Sequence, residues 1–339
     1  MTRFLLVVPP LVGHINPLLG VAEALRSRGH RVAWAGHADQ LRDLAGADAT
    51  VFGCALPGGD LNRPPKLAGP AAFRFLWEEF LLPLAELMAP GVESAIEAFA
   101  PDVVVTDQHA VAGALVAERH GIPYVTSATT SAELVDPLAG MPKVAAWLNG
   151  LLGGLRERLG DPAQHTDPRF SPHGVIAFTG RALVGDARLP SGPVHLVGPA
   201  ITARPASASR PDFPWSELDP SRRAVLVTLG TANADAGGRF LAEAVAALDA
   251  ARDRVQGIVA DPGRMLAGAA VPPDVLVRPY VPQLDLLPRL SAVVCHSGHN
   301  TVCESLWHGV PLVLAPIRDD QPIVAGQVVA AGAGVRVRF

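Results

Sequence analysis

The sequence predicts an α/β protein made of two Rossmann-like domains in tandem, facing a central cleft. Three observations carry that prediction. Short apolar runs alternate with stretches of helical periodicity along the chain, which is the pattern of βαβ units. The runs at residues 4–8 and 224–229 are apolar at consecutive positions, as strands buried on both faces require. Residues 202–211, rich in Pro, Ala and Ser, show no apolar period and divide the chain into halves that begin alike. The boundaries that follow are an N-terminal domain 1–203, a linker 204–222 and a C-terminal domain 223–339.

In the first half, residues 4–8 read as a buried parallel strand and 9–16 as the loop after it. Asn16 suits a helix N-cap with Pro17 at the first helical position. The helix then runs to about Arg28, with Leu18, Leu19, Ala22 and Leu25 on one face, and Gly29 ends it before a strand at 31–35. His14 therefore falls at the carboxyl end of the first strand, just ahead of a helix start. Residues 57–88 begin irregular and turn helical and aromatic, with Phe73, Phe75, Trp77 and Phe80. That helix is either ordinary core or the wall of an apolar small-molecule pocket. A second helix covers 89–99, and a strand at 101–107 ends on an acidic residue, Asp107. A helix (110–120) and a strand (124–127) follow. Residues 134–172, with helical stretches broken by Gly and Pro and only a weak period, read as variable loops over the sheet.

In the second half, the strand at 224–229 runs into Gly230-Thr231 and a helix at 239–248. Strands follow at 256–260 and 275–278, then the loop Tyr280-Val281-Pro282-Gln283 and a short helix at 284–287. Residues 293–311 read as strand, tight loop, helix and stop: Gly298 permits close approach of a ligand, Asn300 suits the N-cap, Gly309 the position after the helix, and Pro311 blocks continuation. A strand at 312–315, a helix at 323–331 and a last strand at 334–339 complete the half. Ligands of open parallel sheets lie at strand carboxyl ends, and helix starts favour anions. The reading is thus an anion on Ser297 to Thr301.

Bulk properties narrow the class. The formal charge of −4 with no basic block argues against nucleic acid, and 49% apolar content supports a large core. Three scattered cysteines, Cys54, Cys295 and Cys303, do not make a disulfide framework and suit the cytoplasm. The N-terminus reads as a buried strand rather than a signal peptide, because Pro9-Pro10 interrupts the apolar run and no cleavage site follows. No apolar run is long enough to span a membrane.

Gly13-His14-Ile15-Asn16-Pro17, Asp107 ending its strand, Gly230-Thr231, Pro282-Gln283, His296-Ser297-Gly298-His299-Asn300-Thr301 with Glu304, and Asp320-Gln321 occur in that order. With them the chain resembles the family 1 glycosyltransferases of the GT-B fold, most of all the bacterial branch that decorates macrolides, enediynes and aromatic polyketides. The resemblance covers essentially the whole chain. It implies an inverting transferase that moves a sugar from a UDP or dTDP sugar to a hydroxyl of a lipophilic natural product, without metal or other cofactor. His14 would be the general base and Asp107 would hold its imidazole. Gly230, Thr231, His296, Ser297, Gly298, Asn300 and Thr301 would surround the donor diphosphate. Tyr280, Val281 and Gln283 would line the nucleobase, Glu304 would take the ribose, and Asp320 and Gln321 the transferred sugar. Phe73, Trp77, Phe80 and Trp147 are candidates for the acceptor pocket, and a homodimer is a compatible assembly. Two departures stand out. His299 occupies a loop where many relatives carry a second Gly or a Cys. Relatives also usually continue for one or two more helices, so the expectation is a C-terminal domain lacking its last helices.

The residues support this chemistry without the family name. An alcohol needs a base near neutral pH, and histidine is the usual one. A leaving diphosphate needs positive potential, which a helix start and His296 are placed to supply. Other readings stay open at this point: Asp107 as a cap for the following helix, the His and Cys residues between 295 and 308 as a zinc cluster, and Asp319-Asp320 as a metal pair. A nucleotide-sugar epimerase or a non-catalytic helper of the same fold are the competing functions.

Overall fold

The computed structural model describes residues 1–57, 67, 69–201, 213–230, 233 and 237–339. Of the linker predicted at 204–222, residues 204–212 lie outside the described residues, as does the site candidate Thr231. Contacts group the chain into two units, Met1–Ala208 and Ser209–Phe339.

In the first unit the strands are β1 (Arg3–Val7), β2 (Arg31–Gly36), β3 (Thr50–Gly53), β4 (Val103–Asp107), β5 (Tyr124–Ala128), β6 (Val175–Ala177) and β7 (Val194–Leu196). They form a parallel sheet in the order β3-β2-β1-β4-β5-β6-β7. The strand alternation sorts the core. Leu5 and Val7 join Ala33, Ala35 and Val104 on one face, while Leu6 and Val8 join Val32, Trp34 and Val105 on the other, all at most 7% exposed. The helices are α1 (Val12–Ser27), α2 (Ala38–Ala45), α3 (Gly69–Phe75), α4 (Leu82–Phe99), α5 (Val111–Arg119), α6 (Pro142–Leu159) and the short α7 (Arg181–Val184). A π-helical turn, Leu76–Leu81, joins α3 to α4 without a break.

The second unit has strands β8 (Arg223–Thr228), β9 (Val255–Ala260), β10 (Val275–Arg278), β11 (Leu290–Cys295), β12 (Leu312–Leu314) and β13 (Gly334–Arg336). They are again parallel, in the order β10-β9-β8-β11-β12-β13. Helices α8 (Gly238–Ala250), α9 (Gln283–Leu286), α10 (His299–Trp307) and α11 (Gln321–Ala330) accompany them. Phe339 stacks on Phe240 of α8, with ring centroids 5.4 Å apart. No helix among the described residues is long and apolar enough to cross a membrane.

Both sheets reverse direction of winding at one place, between β1 and β4 in the first and between β8 and β11 in the second. Loops leaving neighbouring strands diverge there and open a crevice at the carboxyl ends. The register sets Val7 beside Thr106 and Cys295 beside Thr228. His14 and Asp107 thus meet at the first switch point, and Gly230 and His296 at the second.

Several elements differ from the sequence expectation. Helix α1 begins at Val12, not after Asn16, because Ile15 is 1% exposed and extends the stripe of Leu18, Leu19 and Ala22 by one turn. Pro17 sits inside the helix and forgoes one backbone bond near its start. His14 is therefore in the first helical turn rather than in a loop. The helices expected at 73–88 and 89–99 are one continuous run that passes through Pro90. Residues 142–159, expected as loop, form α6. Gly150, Gly153 and Gly154 lower its propensity, but Leu148, Leu152 and Leu155 bury at i, i+4, i+7 spacing and tertiary packing prevails. Helix α10 takes Gly298 as its N-cap in extended backbone, which leaves Asn300 inside the first turn instead of capping it.

Candidate active site

At the switch point of the first unit, a short loop after β1 leads into α1 and presents His14, whose side chain is 17% exposed. The end of β4 delivers Asp107, whose side chain is fully buried. His14 Nδ1 donates to Asp107 Oδ1 at 2.9 Å. The residue that sequence reasoning missed is Thr129, just beyond β5. Its hydroxyl lies 2.8 Å from His14 Nδ1 and donates to Asp107 Oδ2 at 2.9 Å. The backbone N–H of His109 also donates to Asp107 Oδ1, at 2.9 Å. A carboxylate only accepts, so the hydrogen shared with it sits on His14 Nδ1, and Nε2 keeps its lone pair. This is the tautomer a general base needs, held by Asp107 Oδ1 and Thr129 Oγ1 from two strand ends. Asp107 does not cap α5, whose N-cap is Ala110 without a side-chain bond; its carboxylate braces the preceding turn through the His109 N–H.

A second histidine lies against the first. The His109 ring packs against His14 with centroids 4.9 Å apart and planes tilted 33°. His109 Nε2 donates to Glu133 Oε1 at 2.8 Å, and Arg169 Nη1 donates to Glu133 Oε2 at 3.2 Å. Burial opposes charge on Glu133, but the His109 and Arg169 charges and the His109 hydrogen bond overcome it and hold the carboxyl down at about 2. His14, Asp107 and His109 bring ligand-type atoms within 4.8 Å of one another. Of these, His14 Nδ1 and the Asp107 carboxylate are engaged with each other and with Thr129, and His109 Nε2 with Glu133.

The proposed acceptor residues divide. Trp77 is 0% and Phe80 6% exposed, both inside the core cluster. Phe73 and Trp147 are half-buried at its edge, with ring centroids 6.0 Å apart. Trp147 Nε1 donates to Glu78 Oε1 at 3.2 Å. In this conformation only Phe73 and Trp147 offer surface to an acceptor.

In the second unit, β11 ends in a loop where Ser297 adopts φ of +70°, an unusual conformation for a residue with a side chain. His296 and Ser297 are 8% and 0% exposed, and His296 Nδ1 and Ser297 Oγ have no hydrogen-bond partner. Buried polar atoms without a protein partner at a helix start suit contact with an anion. The His296 ring is gripped by two glycines: a Cβ at Gly230 would approach it to 2.6 Å and one at Gly298 to 2.3 Å. Burial, aided by the charge of Arg318 and opposed by a Thr228 backbone bond, pushes the imidazole down to about 4. His296 is therefore neutral at pH 7. It offers hydrogen bonding rather than the positive charge expected of it.

The cation near this site is Arg318, also missed from the sequence. Its Nε donates to Asn233 Oδ1 at 2.8 Å, and Asn233 Nδ2 donates to the Leu229 carbonyl beside Gly230 at 2.8 Å. Gln321 Oε1 accepts the N–H groups of Ile317 and Arg318 at 2.9 and 3.0 Å. Gln321 thus braces the loop with its oxygen. Asp320 sits at the N-cap of α11. Gln283 and Glu304, expected to share the nucleoside, do meet: Gln283 Nε2 donates to Glu304 Oε2 at 2.7 Å, and Thr301 Oγ1 lies 3.4 Å from Gln283 Oε1. Tyr280 is 58% exposed and Val281 6%. Asn300 lies half-buried in the first turn of α10. His299 turns inward, 5% exposed, with Nε2 3.4 Å from Cys303 Sγ one turn along α10. Among the described residues, the histidines and cysteines of this segment do not converge as a metal cluster.

Comparison with known proteins agrees with this geometry along the whole chain. A profile of the UDP-glucoronosyl and UDP-glucosyl transferases matches residues 229–339, and one of glycosyl transferase 4-like domains matches residues 13–166. The chain is 32% identical to 4'-demethylrebeccamycin synthase of Lentzea aerocolonigenes over 99% of its own length and 87% of the relative's. The crystal structure of the glycotransferase of kitacinnamycin superposes with a TM-score of 0.75 at 25% identity, over 99% of this chain and 86% of that one. Spinosyn rhamnosyltransferase SpnG, complexed with thymidine diphosphate, gives 0.73 at 24% identity, over 98% and 85%.

Proposed function

Because the chain belongs to the UDP-glucoronosyl and UDP-glucosyl transferase family, as a glycosyltransferase of the bacterial natural-product branch with the GT-B fold, we propose that it transfers a sugar, with inversion, from a UDP or dTDP sugar to a hydroxyl of a lipophilic natural product. The observation that carries this reading is His14, fixed by Asp107 and Thr129 with Nε2 open to accept a proton. In the proposed step, His14 Nε2 takes the acceptor's hydroxyl proton as that oxygen bonds to the anomeric carbon. The bond from that carbon to the β-phosphate oxygen breaks, and the nucleoside diphosphate leaves with the electron pair. A single displacement inverts the anomeric centre. Asp107 offsets the imidazolium charge, and the proton passes to solvent afterwards.

The diphosphate would lie at the start of α10 against His296, Ser297 and Gly298, with Arg318 supplying charge. Gln283 and Glu304 would hold the nucleoside, and Asp320 and Gln321 the sugar. The helix start and Arg318 together make a metal unnecessary in this scheme. Thymidine diphosphate in the similar spinosyn enzyme supports dTDP as a donor class.

A thermal-shift panel of UDP, dTDP and GDP tests the donor half, with one diphosphate expected to raise the melting temperature by several degrees. A flat response overturns the donor site. Diphosphate release should require an acceptor, persist in EDTA and fall about 10²–10⁴-fold in His14→Ala. Release without acceptor points instead to an epimerase, and binding without turnover to a helper protein.

A further inference from the structure

The proposed mechanism leaves a buried charged assembly beside His14 unused. His109 follows Asp107 by two residues and lies ring against ring with His14, at 4.9 Å between centroids. Its Nε2 is 2.8 Å from Glu133 Oε1. Glu133 is held in turn by Arg169, whose guanidinium is fixed by Asp167 through Nη2–Oδ2 at 2.7 Å and Nε–Oδ1 at 3.0 Å. The side chains of His109, Glu133 and Arg169 are only 10%, 10% and 12% exposed. Arg169 also packs over the ring of Trp77, at 5.7 Å, which ties the assembly to the π-helical turn. A buried ion network of this kind is expensive to assemble and is kept where it fixes geometry or charge.

We infer that His109 and Glu133 form a second histidine–carboxylate pair that positions the base, holding the His14 ring in place and keeping it free of a proton until an acceptor arrives. The inference rests on His14 being the base. The charged and titratable groups facing His109 are Asp107, His14, Glu133 and, through Glu133, Arg169 and Asp167. A carboxylate on Nε2 favours the imidazolium of His109. An imidazolium with its centroid 4.9 Å from that of His14 then repels a second proton there. Asp107 pulls the other way, favouring a proton on His14, so the two pairs act in opposition. Arg169 and Asp167 fix Glu133, so its carboxylate cannot rotate away to serve His14 directly.

The test uses the full chain labelled with nitrogen-15 histidine, and NMR titration of the ring nitrogens, assigned with His14→Ala and His109→Gln. In the wild type His109 is expected as the imidazolium at pH 7, and as the neutral ring in Glu133→Gln. In His109→Gln, which keeps a donor for Glu133 but removes the charge, the His14 titration midpoint is expected to rise by about one pH unit. Near-UV circular dichroism matching the wild type confirms that each variant is folded. A neutral His109 in the wild type, or a His14 midpoint that stays put or falls in His109→Gln, overturns the inference. Because this readout needs no donor or acceptor, its failure is separable from failure of the glycosyl-transfer reading, which His14→Ala turnover decides.

Discussion

Substituting Gly298 by Ala adds one methyl group where the structure has no room for it. Gly298 is in extended backbone, with φ −62° and ψ 133°, so alanine brings no backbone strain and the effect is purely steric. The new Cβ would lie 2.3 Å from His296 Nε2 and 2.6 Å from its Cε1, against about 3.5–4.0 Å for a comfortable contact. The ring has to move by roughly 1 Å. Gly230 crowds the same ring, since a Cβ there would meet His296 Cε1 at 2.6 Å and Nε2 at 2.8 Å. Overpacking of this kind destabilises by about 1–3 kcal/mol, and a displaced donor at a developing oxyanion costs about 10²–10³ in rate. Diphosphate release kinetics with the donor identified by thermal shift should therefore show kcat/KM falling on the order of 100-fold, together with a lower melting temperature. His296→Ala should lose a similar factor, and the double variant no more than either alone, since both act through one ring. Turnover of Gly298→Ala within about threefold of wild type, under about 0.7 kcal/mol, refutes the clamp. So does strict additivity in the double variant.

Acid should weaken both units through different groups. His296 is pushed down from 6.5 to about 4, so the unfolded state takes a proton as pH falls through 6.5 and the folded state resists until about 4. That removes about 3 kcal/mol across this window. Glu133 is held at about 2 instead of 4.5, and its contribution, also about 3 kcal/mol, is present above 4.5 and lost as pH falls toward 2. Urea midpoints between pH 7 and 4 should fall, and His296→Asn should flatten the upper part of that fall. Arg318→Gln should weaken binding of the diphosphate by about 10- to 100-fold, as loss of a charge-assisted hydrogen bond implies, and calorimetry with UDP or dTDP reads it directly. The thiols of Cys54 and Cys295 are pushed up to about 12 by burial, and Cys303 is buried too, so none should react with an aromatic disulfide reagent until the chain is unfolded.

The legible parts of this fold are those whose signal is local. Consecutive apolar residues marked β1, β4, β8 and β11, and glycine and proline marked the ends of the helices. Strand order is set by long-range pairing, but the carboxyl-end positions of His14, Asp107, Gly230 and His296 could be read once the strands were placed. Helix α6 was hidden because three glycines dilute its local preference, while the Leu148, Leu152 and Leu155 stripe gains its stability only from the core it meets. Trp77 and Phe80 illustrate the opposite error. An aromatic run signals burial, and sequence alone does not say whether the burial is against a ligand or against the protein. Thr129 and Arg318 were missed because their partners lie 115, 22 and 85 residues away. His109 and Glu133 are 24 residues apart and gave no spacing pattern. The charge state of His296 was likewise beyond sequence, because it depends on burial depth and on Arg318.

The π-helical turn at Leu76–Leu81 has a consequence for how this chain tolerates change in length. A π turn holds one residue more than an α turn, so the run from Gly69 to Phe99 accommodates an extra residue without breaking. Deleting one residue there would let the whole run close into regular α-helix. The part of the run before the turn, Gly69–Phe75, would then rotate by about 100° about the axis, the angle of a single residue step. Phe73 would leave Trp147, and Arg74 would leave Glu78, while the sheet and the His14–Asp107 pair stayed where they are. Single-residue deletions in this turn are thus a way to reshape one wall of the molecule in a single step, a kind of variation that substitution at any one position does not reach.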